Sequence, residues 1–192
     1  MISGIILASG FSKRMEQEKL LLPVGGVALV ERVIQAAQAS RLDEVILIYQ
    51  KREIEKIGRK YGIKAVHNPR ADEGQSAAIK LGIHTAQPET DAFMFMVGDQ
   101  PFLNPSTINI LIDTFQQDPH SIIVPVYNNT RGNPVLFPSA MKELLLALDG
   151  DRGGRVLIDS MPERVKLVSI DEEMLGTDID TEEDYRKIKD NN

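Results

Sequence analysis

The sequence predicts a single α/β domain over residues 1–192, with a mostly parallel sheet between two helical layers. Three observations predict it. Apolar strand-like runs alternate with helix-period segments along the whole chain, the pattern of repeated strand–helix crossovers. The run at 92–97, Ala-Phe-Met-Phe-Met-Val, is apolar on both faces, as a central parallel strand must be. The glycine-bearing polar segments follow strand ends, where open parallel sheets bind ligands.

Taken in order, residues 2–7 are an apolar run and read as the first strand. Residues 28–39 read as a helix because Leu29, Val33 and Ala36 share one stripe. Glu-Val-Ile-Leu-Ile-Tyr at 44–49 is the second strand. The charged stretch 52–61 is a helix stopped by Gly62, in the position where a left-handed residue ends helices. Residues 63–67 form the third strand and 75–86 a helix that stops before Pro88. The fourth strand, 92–97, leads to a helix over 105–116, with Pro105 at its favourable first turn. Strands at 121–126, 134–137 and 165–170 follow, with helices at 141–148 and 182–189 and a frayed tail at 190–192.

Composition bounds the function classes. The net charge of −6 argues against a nucleic-acid binder, which needs a basic face. An anionic ligand must instead meet local cations. The absence of cysteine excludes disulfides, thiolate metal sites and cysteine nucleophiles. No run approaches the roughly 20 apolar residues of a membrane span, and the first strand begins without a basic leader. A cytoplasmic location, with no membrane partner, is the expectation.

The chemistry gathers at strand ends. The first strand runs into Leu7-Ala8-Ser9-Gly10, with Lys13, Arg14 and Lys19 behind it. Small residues let the backbone approach a ligand and aim N–H groups at phosphate, and the cations match a triphosphate tail. The third strand ends in Asn68-Pro69, before Glu73-Gly74-Gln75-Ser76, and the fourth in Gly98-Asp99-Gln100-Pro101. In a parallel sheet all three ends converge on one edge. An acid ending a central buried strand needs compensation. For Asp99 this is a divalent cation, with a turn cap as the alternative. In Thr177-Asp178-Ile179-Asp180 the two acids share a face, and either can serve as a second ligand. Thr181 with Asp184 reads as the cap of the last helix. The segments 129–134 and 150–155 carry glycine and arginine and suit an anionic co-substrate, or are plain surface turns. His67, His84 and His120 lack metal-ligand spacing, and neither a G-x-S-x-G elbow nor a dinucleotide or P-loop fingerprint follows a strand.

Residues 7–23, Leu-Ala-Ser-Gly-Phe-Ser-Lys-Arg-Met-Glu-Gln-Glu-Lys-Leu-Leu-Leu-Pro, resemble the signature of the MobA-like nucleotidyltransferases, within them the molybdenum cofactor cytidylyltransferases. Asn68-Pro69, Glu73-Gly74-Gln75-Ser76, Gly98-Asp99-Gln100-Pro101, Arg131-Gly132-Asn133-Pro134, Gly150-Asp151-Arg152-Gly153-Gly154-Arg155 and Asp178-Ile179-Asp180-Thr181 extend the likeness over nearly the whole chain. The resemblance implies a Rossmann-like sheet of the nucleotide-diphospho-sugar transferase type. It implies that Leu7, Ala8, Ser9 and Gly10 bind the nucleotide, Arg14 and Lys19 its phosphates, and Asn68, Gly74 and Ser76 the region of the base. Asp99 and Asp178 would hold Mg²⁺, making Arg14, Lys19 and Asp99 the catalytic set. Arg131, Gly132, Asn133, Pro134, Asp151 and Gly153 would face the acceptor. Four positions depart from the family pattern. Ser9 replaces an alanine or glycine, Glu16 a glycine, Asn133 a histidine and Glu182 a proline.

The implied reaction is CMP transfer from CTP to the phosphate of molybdopterin, with release of pyrophosphate and possible hand-over to a molybdenum hydroxylase. Transfer from another nucleoside triphosphate or to another acceptor is the alternative, as is a non-catalytic protein that matures or delivers the cofactor.

Overall fold

The structure, a computed structural model, describes residues 1–11, 18–179 and 181–189. Strand β1 (Ile2–Ala8) is followed by a short hairpin, β2 (Pro23–Val24) and β3 (Val27–Ala28), turned by Gly25 and Gly26 at positive φ. Then come α1 (Leu29–Gln38), β4 (Glu44–Tyr49), α2 (Arg52–Lys60), β5 (Lys64–His67), α3 (Gln75–Thr85) and β6 (Ala92–Val97). The second half adds α4 (Pro105–Gln117), β7 (Ile122–Tyr127), β8 (Thr130–Arg131), β9 (Val135–Pro138), α5 (Lys142–Leu146), α6 (Arg155–Ser160), β10 (Val165–Ile170) and α7 (Glu182–Lys189). The hairpin β2–β3, strand β8 and helix α6 are additions to the sequence expectation, which read 150–155 as one polar segment.

Among the described residues the main sheet runs β10-β7-β9-β6-β1-β4-β5, with β8 paired to β7. β1 lies between β4 and β6 in parallel register, Ile5 facing both Ile46 and Phe95. Alternate residues of these strands go to opposite faces. Ile6, Leu47, Met94 and Met96 pack with Val33 of α1, Ile54 of α2 and Ile108 of α4. Ile5, Ile46, Phe93 and Phe95 pack with Ile79 of α3, Leu145 of α5 and Ile158 of α6. These are the two helical layers that the alternating pattern predicts, and the mixed α/β fold with a mostly parallel sheet is as expected.

One long strand breaks the parallel rule. β9 is antiparallel to both β6 and β7. The reason lies in Asn128 and Asn129, both at positive φ, which turn β7 directly back into β8. Asparagine tolerates that left-handed backbone better than most residues, and two such residues in succession make the tight hairpin turn. The reversal matters for function. It puts the segment between β7 and β9 at the same edge as the carboxyl ends of β1, β5 and β6.

The chain closes over that edge from its far end. The amide of Ile179 donates to the Asp99 carbonyl at 3.1 Å, and Ile179 is buried with Leu22, Val24 and Leu29. Thr181 and Asp184 form the expected cap of α7: Thr181 N and Oγ1 donate to Asp184 Oδ2 at 2.9 and 2.7 Å, and Asp184 N donates to Thr181 Oγ1 at 3.1 Å.

Candidate active site

The three strand ends meet as parallel topology requires. Ser9 follows β1 and Asn68 follows β5; the Asn68 amide donates to Ser9 Oγ at 3.0 Å, and both side chains are buried. Asn68 also receives the Arg70 amide at 3.1 Å, and its own N–H donates to Tyr49 O at 2.7 Å. A polar side chain so engaged is held in one orientation. Asn68 thus braces the loop after β1 from behind. Ala8 and Ser76 are likewise buried beside the site.

In front of that brace lies a cavity of about 700 Å³ whose walls include Leu7, Ser9, Gly10, Lys19, Gly74, Gln75 and Asp99. Its volume suits a ligand of nucleotide size. The expected phosphate ligand Arg14 lies outside the described residues, as do Lys13 and Asp180. Lys19 opens a single 3-10 turn, Lys19–Leu21, whose Leu20 is buried. From there its ammonium donates to Asp99 Oδ2 at 2.6 Å. Both side chains are largely withdrawn from water, at 15% and 17% exposure. The other carboxylate oxygen, Asp99 Oδ1, is buried and has no hydrogen-bond partner among the described residues. A buried, unsatisfied carboxylate oxygen is costly. Hard oxygen at the edge of a nucleotide-sized cavity fits a divalent cation that shares its shell with phosphate oxygens. Among the described residues the Asp99 carboxylate bonds Lys19 and no backbone amide, so the turn-cap alternative finds no support there.

Gly74 joins this cavity to the next segment. Its φ is +88°, which side chains rarely adopt, and a Cβ there would lie 2.5 Å from Asp151 Oδ1 and 2.7 Å from the Gly150 carbonyl carbon. The 150–153 turn can therefore pack directly onto the start of α3. A side chain at Gly153 would overlap the Gln75 amide in the same contact. Asp151 and Gln75 consequently line both this cavity and a second one of about 890 Å³.

The second cavity has an apolar floor, Val124, Phe95 and Phe137, and a polar rim that includes Asn128, Arg131, Asn133 and Asp178. Tyr127 organises the rim. Its ring lies between Gly132 and Gly176, where any side chain would collide with it, and its hydroxyl donates to Asn133 O at 2.8 Å. Burial, and then the nearby Asp178 charge, push the Tyr127 hydroxyl well above its ordinary pKa, so it stays a hydrogen-bond donor. Pro134, joined to Asn133 by a cis peptide bond, follows the rim into β9. Arg131 pairs with Asp159 at 3.0 Å, and Arg155 approaches the same carboxylate at 3.7 Å.

Asp99 and Asp178 are thus brought to neighbouring segments, since Ile179 is tied to Asp99. Asp99 faces the first cavity and Asp178 lines the second. Among the described residues no group of three or more acids or histidines is arranged to hold a metal. Sequence reasoning did not single out Gln75, Tyr127 or Gln100. Gln100 is 1% exposed and donates to Gly176 O at 3.4 Å, a second tie between the β6 end and the Asp178 segment. Two of the three carried a signal, because Gln75 and Gln100 stand inside the motifs already marked. Tyr127 carried none, because its role depends on two glycines distant in sequence.

The MobA-like NTP transferase domain family matches residues 4–165 of the chain. The purine catabolism protein PucB of Bacillus subtilis (strain 168) is 29% identical over 198 aligned residues, covering 97% of this chain and 95% of PucB. A probable molybdenum cofactor guanylyltransferase of Thermococcus gammatolerans is 30% identical over 145, covering 74% of this chain and 72% of its own. The crystal structure of Rv0371c from Mycobacterium tuberculosis H37Rv matches with a TM-score of 0.84 at 26% identity, over 98% of this chain and 97% of that one. A complex of Rv0371C with manganese matches with a TM-score of 0.79 at 25% identity, over 98% of each chain. With the Lys19–Asp99 pair at the wall of a nucleotide-sized cavity and a family match over most of its length, the chain belongs to the MobA-like NTP transferase family and is a nucleotidyltransferase.

Proposed function

We propose that the first cavity binds CTP, that the second binds a molybdopterin-type acceptor, and that the acceptor's phosphate attacks the α-phosphorus with release of pyrophosphate. One observation carries this reading: the two cavities are contiguous, sharing Leu7, Gln75, Val97 and Asp151, with the Lys19–Asp99 pair at the wall of the first. Donor and acceptor bound side by side convert a two-body encounter into an oriented one.

The chemistry asks for charge control rather than a base. A phosphate monoester has a second pKa of about 6 and is already largely dianionic near neutrality. Among the described residues no histidine lines either cavity, in keeping with a nucleophile that needs no deprotonation. Lys19 neutralises charge that grows on the departing pyrophosphate. Asp99 is the residue to hold a divalent cation, Mg²⁺ in this proposal, with Asp178 as the neighbouring carboxylate. Such a cation, when bound, neutralises the triphosphate and polarises the reacting phosphorus. The manganese complex of Rv0371C supports a divalent ion in this fold.

The CTP assignment draws on the likeness to the molybdenum cofactor cytidylyltransferases, with Ser9 at the wall of the first cavity. A guanylyl reading is favoured by the Thermococcus gammatolerans relative. The acceptor assignment draws on that same relative's name and on the apolar floor with polar rim, which suits a flat heterocycle that carries a charged tail. Delivery of the product to a molybdenum hydroxylase, at a cytoplasmic location, completes the proposal. No helix among the described residues is long and apolar enough to cross a membrane.

Pyrophosphate release measured with CTP, GTP, ATP and UTP, each with and without molybdopterin and Mg²⁺, tests the proposal. CTP-specific release that needs both additions is the expected result. Release with GTP alone moves the donor to the guanylyl reading, and release independent of molybdopterin removes the acceptor assignment.

A further inference from the structure

The Lys19–Asp99 contact has a consequence for the order in which ligands enter. Nζ sits 2.6 Å from Oδ2, on the carboxylate assigned above to a divalent cation. A metal ion on Oδ1 would stand across one carboxylate from the ammonium on Oδ2, and the two like charges repel each other in a site screened from water, so the ion binds more weakly while the ammonium stays. The backbone of Lys19 is anchored: Leu22 N donates to Lys19 O at 3.0 Å, and the Leu20 methyls lie 3.2 and 3.4 Å from where a Cβ on Gly98 would stand. Lysine carries its ammonium on a rotatable four-carbon stem, and its three donors re-aim readily. Lys19 and Gly10 line the same cavity, so phosphate oxygens bound there come within the domain of that stem.

We propose that Lys19 is the exchangeable counter-ion of Asp99. In the nucleotide-free protein it neutralises the carboxylate from Oδ2 and weakens the hold of Oδ1 on divalent cations. It turns to the triphosphate when nucleotide arrives, and Asp99 then becomes available to the cation. The proposal rests on the reading of Asp99 as the metal-holding carboxylate. Triphosphate and cation therefore bind cooperatively, and each raises the affinity for the other by the same factor.

Mn²⁺ is the probe, its binding followed by the loss of the free-ion electron paramagnetic resonance signal. Without nucleotide, Lys19→Met should bind Mn²⁺ at least about tenfold more tightly than wild type, and Lys19→Arg, which keeps the charge, should bind it as weakly as wild type. Asp99→Asn should remove the tight binding from the Lys19→Met background. Equal Mn²⁺ affinity in wild type and Lys19→Met, with loss in Asp99→Asn, overturns the exchange and leaves the metal reading standing. Tight binding that survives Asp99→Asn overturns both. Far-UV circular dichroism accompanies each variant. Should Lys19→Met not fold, the wild type decides. Mn²⁺ bound as tightly without a non-hydrolysable triphosphate as with it, after correction for the free metal–nucleotide complex, overturns the proposal. Tighter binding with the triphosphate supports it.

Discussion

The two cavities meet at Asp151 and Gln75 but are built in different ways. The first takes its walls from the ends of parallel strands, braced by buried pairs: Ser9 with Asn68, and Lys19 with Asp99. The second takes its rim from a reversed hairpin and two turns, fastened by one aromatic ring between glycines and by ion pairs open to water. Backbone topology fixes the first, and side-chain packing fixes the second. The donor side should therefore respond to substitution with large, all-or-none losses. The acceptor side should respond in graded steps in KM.

The sharpest break falls on Asp99. Asp99→Ala removes the carboxylate that compensates Lys19 and the oxygen offered to a cation. It should lower kcat for pyrophosphate release by about 10³-fold or more, with the far-UV spectrum unchanged. Metal-dependent release at the wild-type rate would defeat the assignment. Gly74→Ala comes next, because it strikes the wall common to both cavities. The alanine must hold φ near +88° and pushes against Asp151, at a cost of about 1–3 kcal/mol. Thermal unfolding should register that loss, and kcat/KM for both substrates should fall by roughly 10²-fold as Asp151 moves. A loss confined to one substrate would show that the cavities are less coupled than their shared wall implies.

How much of this was legible in the sequence follows the same division. β1, β5 and β6 are legible as strands, and a parallel arrangement forces their polar ends together. Ser9, Asn68 and Asp99 were thus placed on one edge by topology alone, Lys19 was marked by the cations behind the first strand, and the structure adds the contacts among them. The strand near 134–137 was legible, but its direction was not. That direction follows from the left-handed Asn128-Asn129 turn, a signal present in the sequence and passed over as part of a polar loop. Helix α6 was hidden because Gly153 and Gly154 stand directly before its first residue and suggest a turn. The Tyr127 slot was beyond any local reading, since Gly132 and Gly176 mean nothing together until the chain folds.

Tyr127 tests the acceptor side by itself. Tyr127→Phe keeps the ring between Gly132 and Gly176 and removes only the bond to Asn133 O, for a loss of about 1 kcal/mol in stability. The rim around Asn133 loosens, so the acceptor KM should rise several-fold while the KM for the triphosphate stays level. A matching change in both constants would contradict the division between the two sides.

The smallest effect has the opposite sign. Asp159 holds Arg131 at 3.0 Å and Arg155 at 3.7 Å, and all three side chains are about half exposed or more. Exposed ion pairs contribute little, so Asp159→Asn should change stability by less than about 1 kcal/mol. Both arginines line the second cavity, and their carboxylate partner competes with any anionic group of an acceptor. Removing that charge frees the two guanidinium groups without disturbing the packed floor. The acceptor KM should therefore fall by about two- to fivefold at low salt, and the gain should fade as the Debye length shrinks below about 8 Å at higher ionic strength. Asp151→Asn gives the contrast, because Asp151 lies in the shared wall, packed against Gly74, and its loss should not improve acceptor binding at any salt concentration. A gain from Asp159→Asn that persisted in high salt would mean that the carboxylate acts by shape rather than charge, and would place this outer rim under the same packing control as the Tyr127 slot.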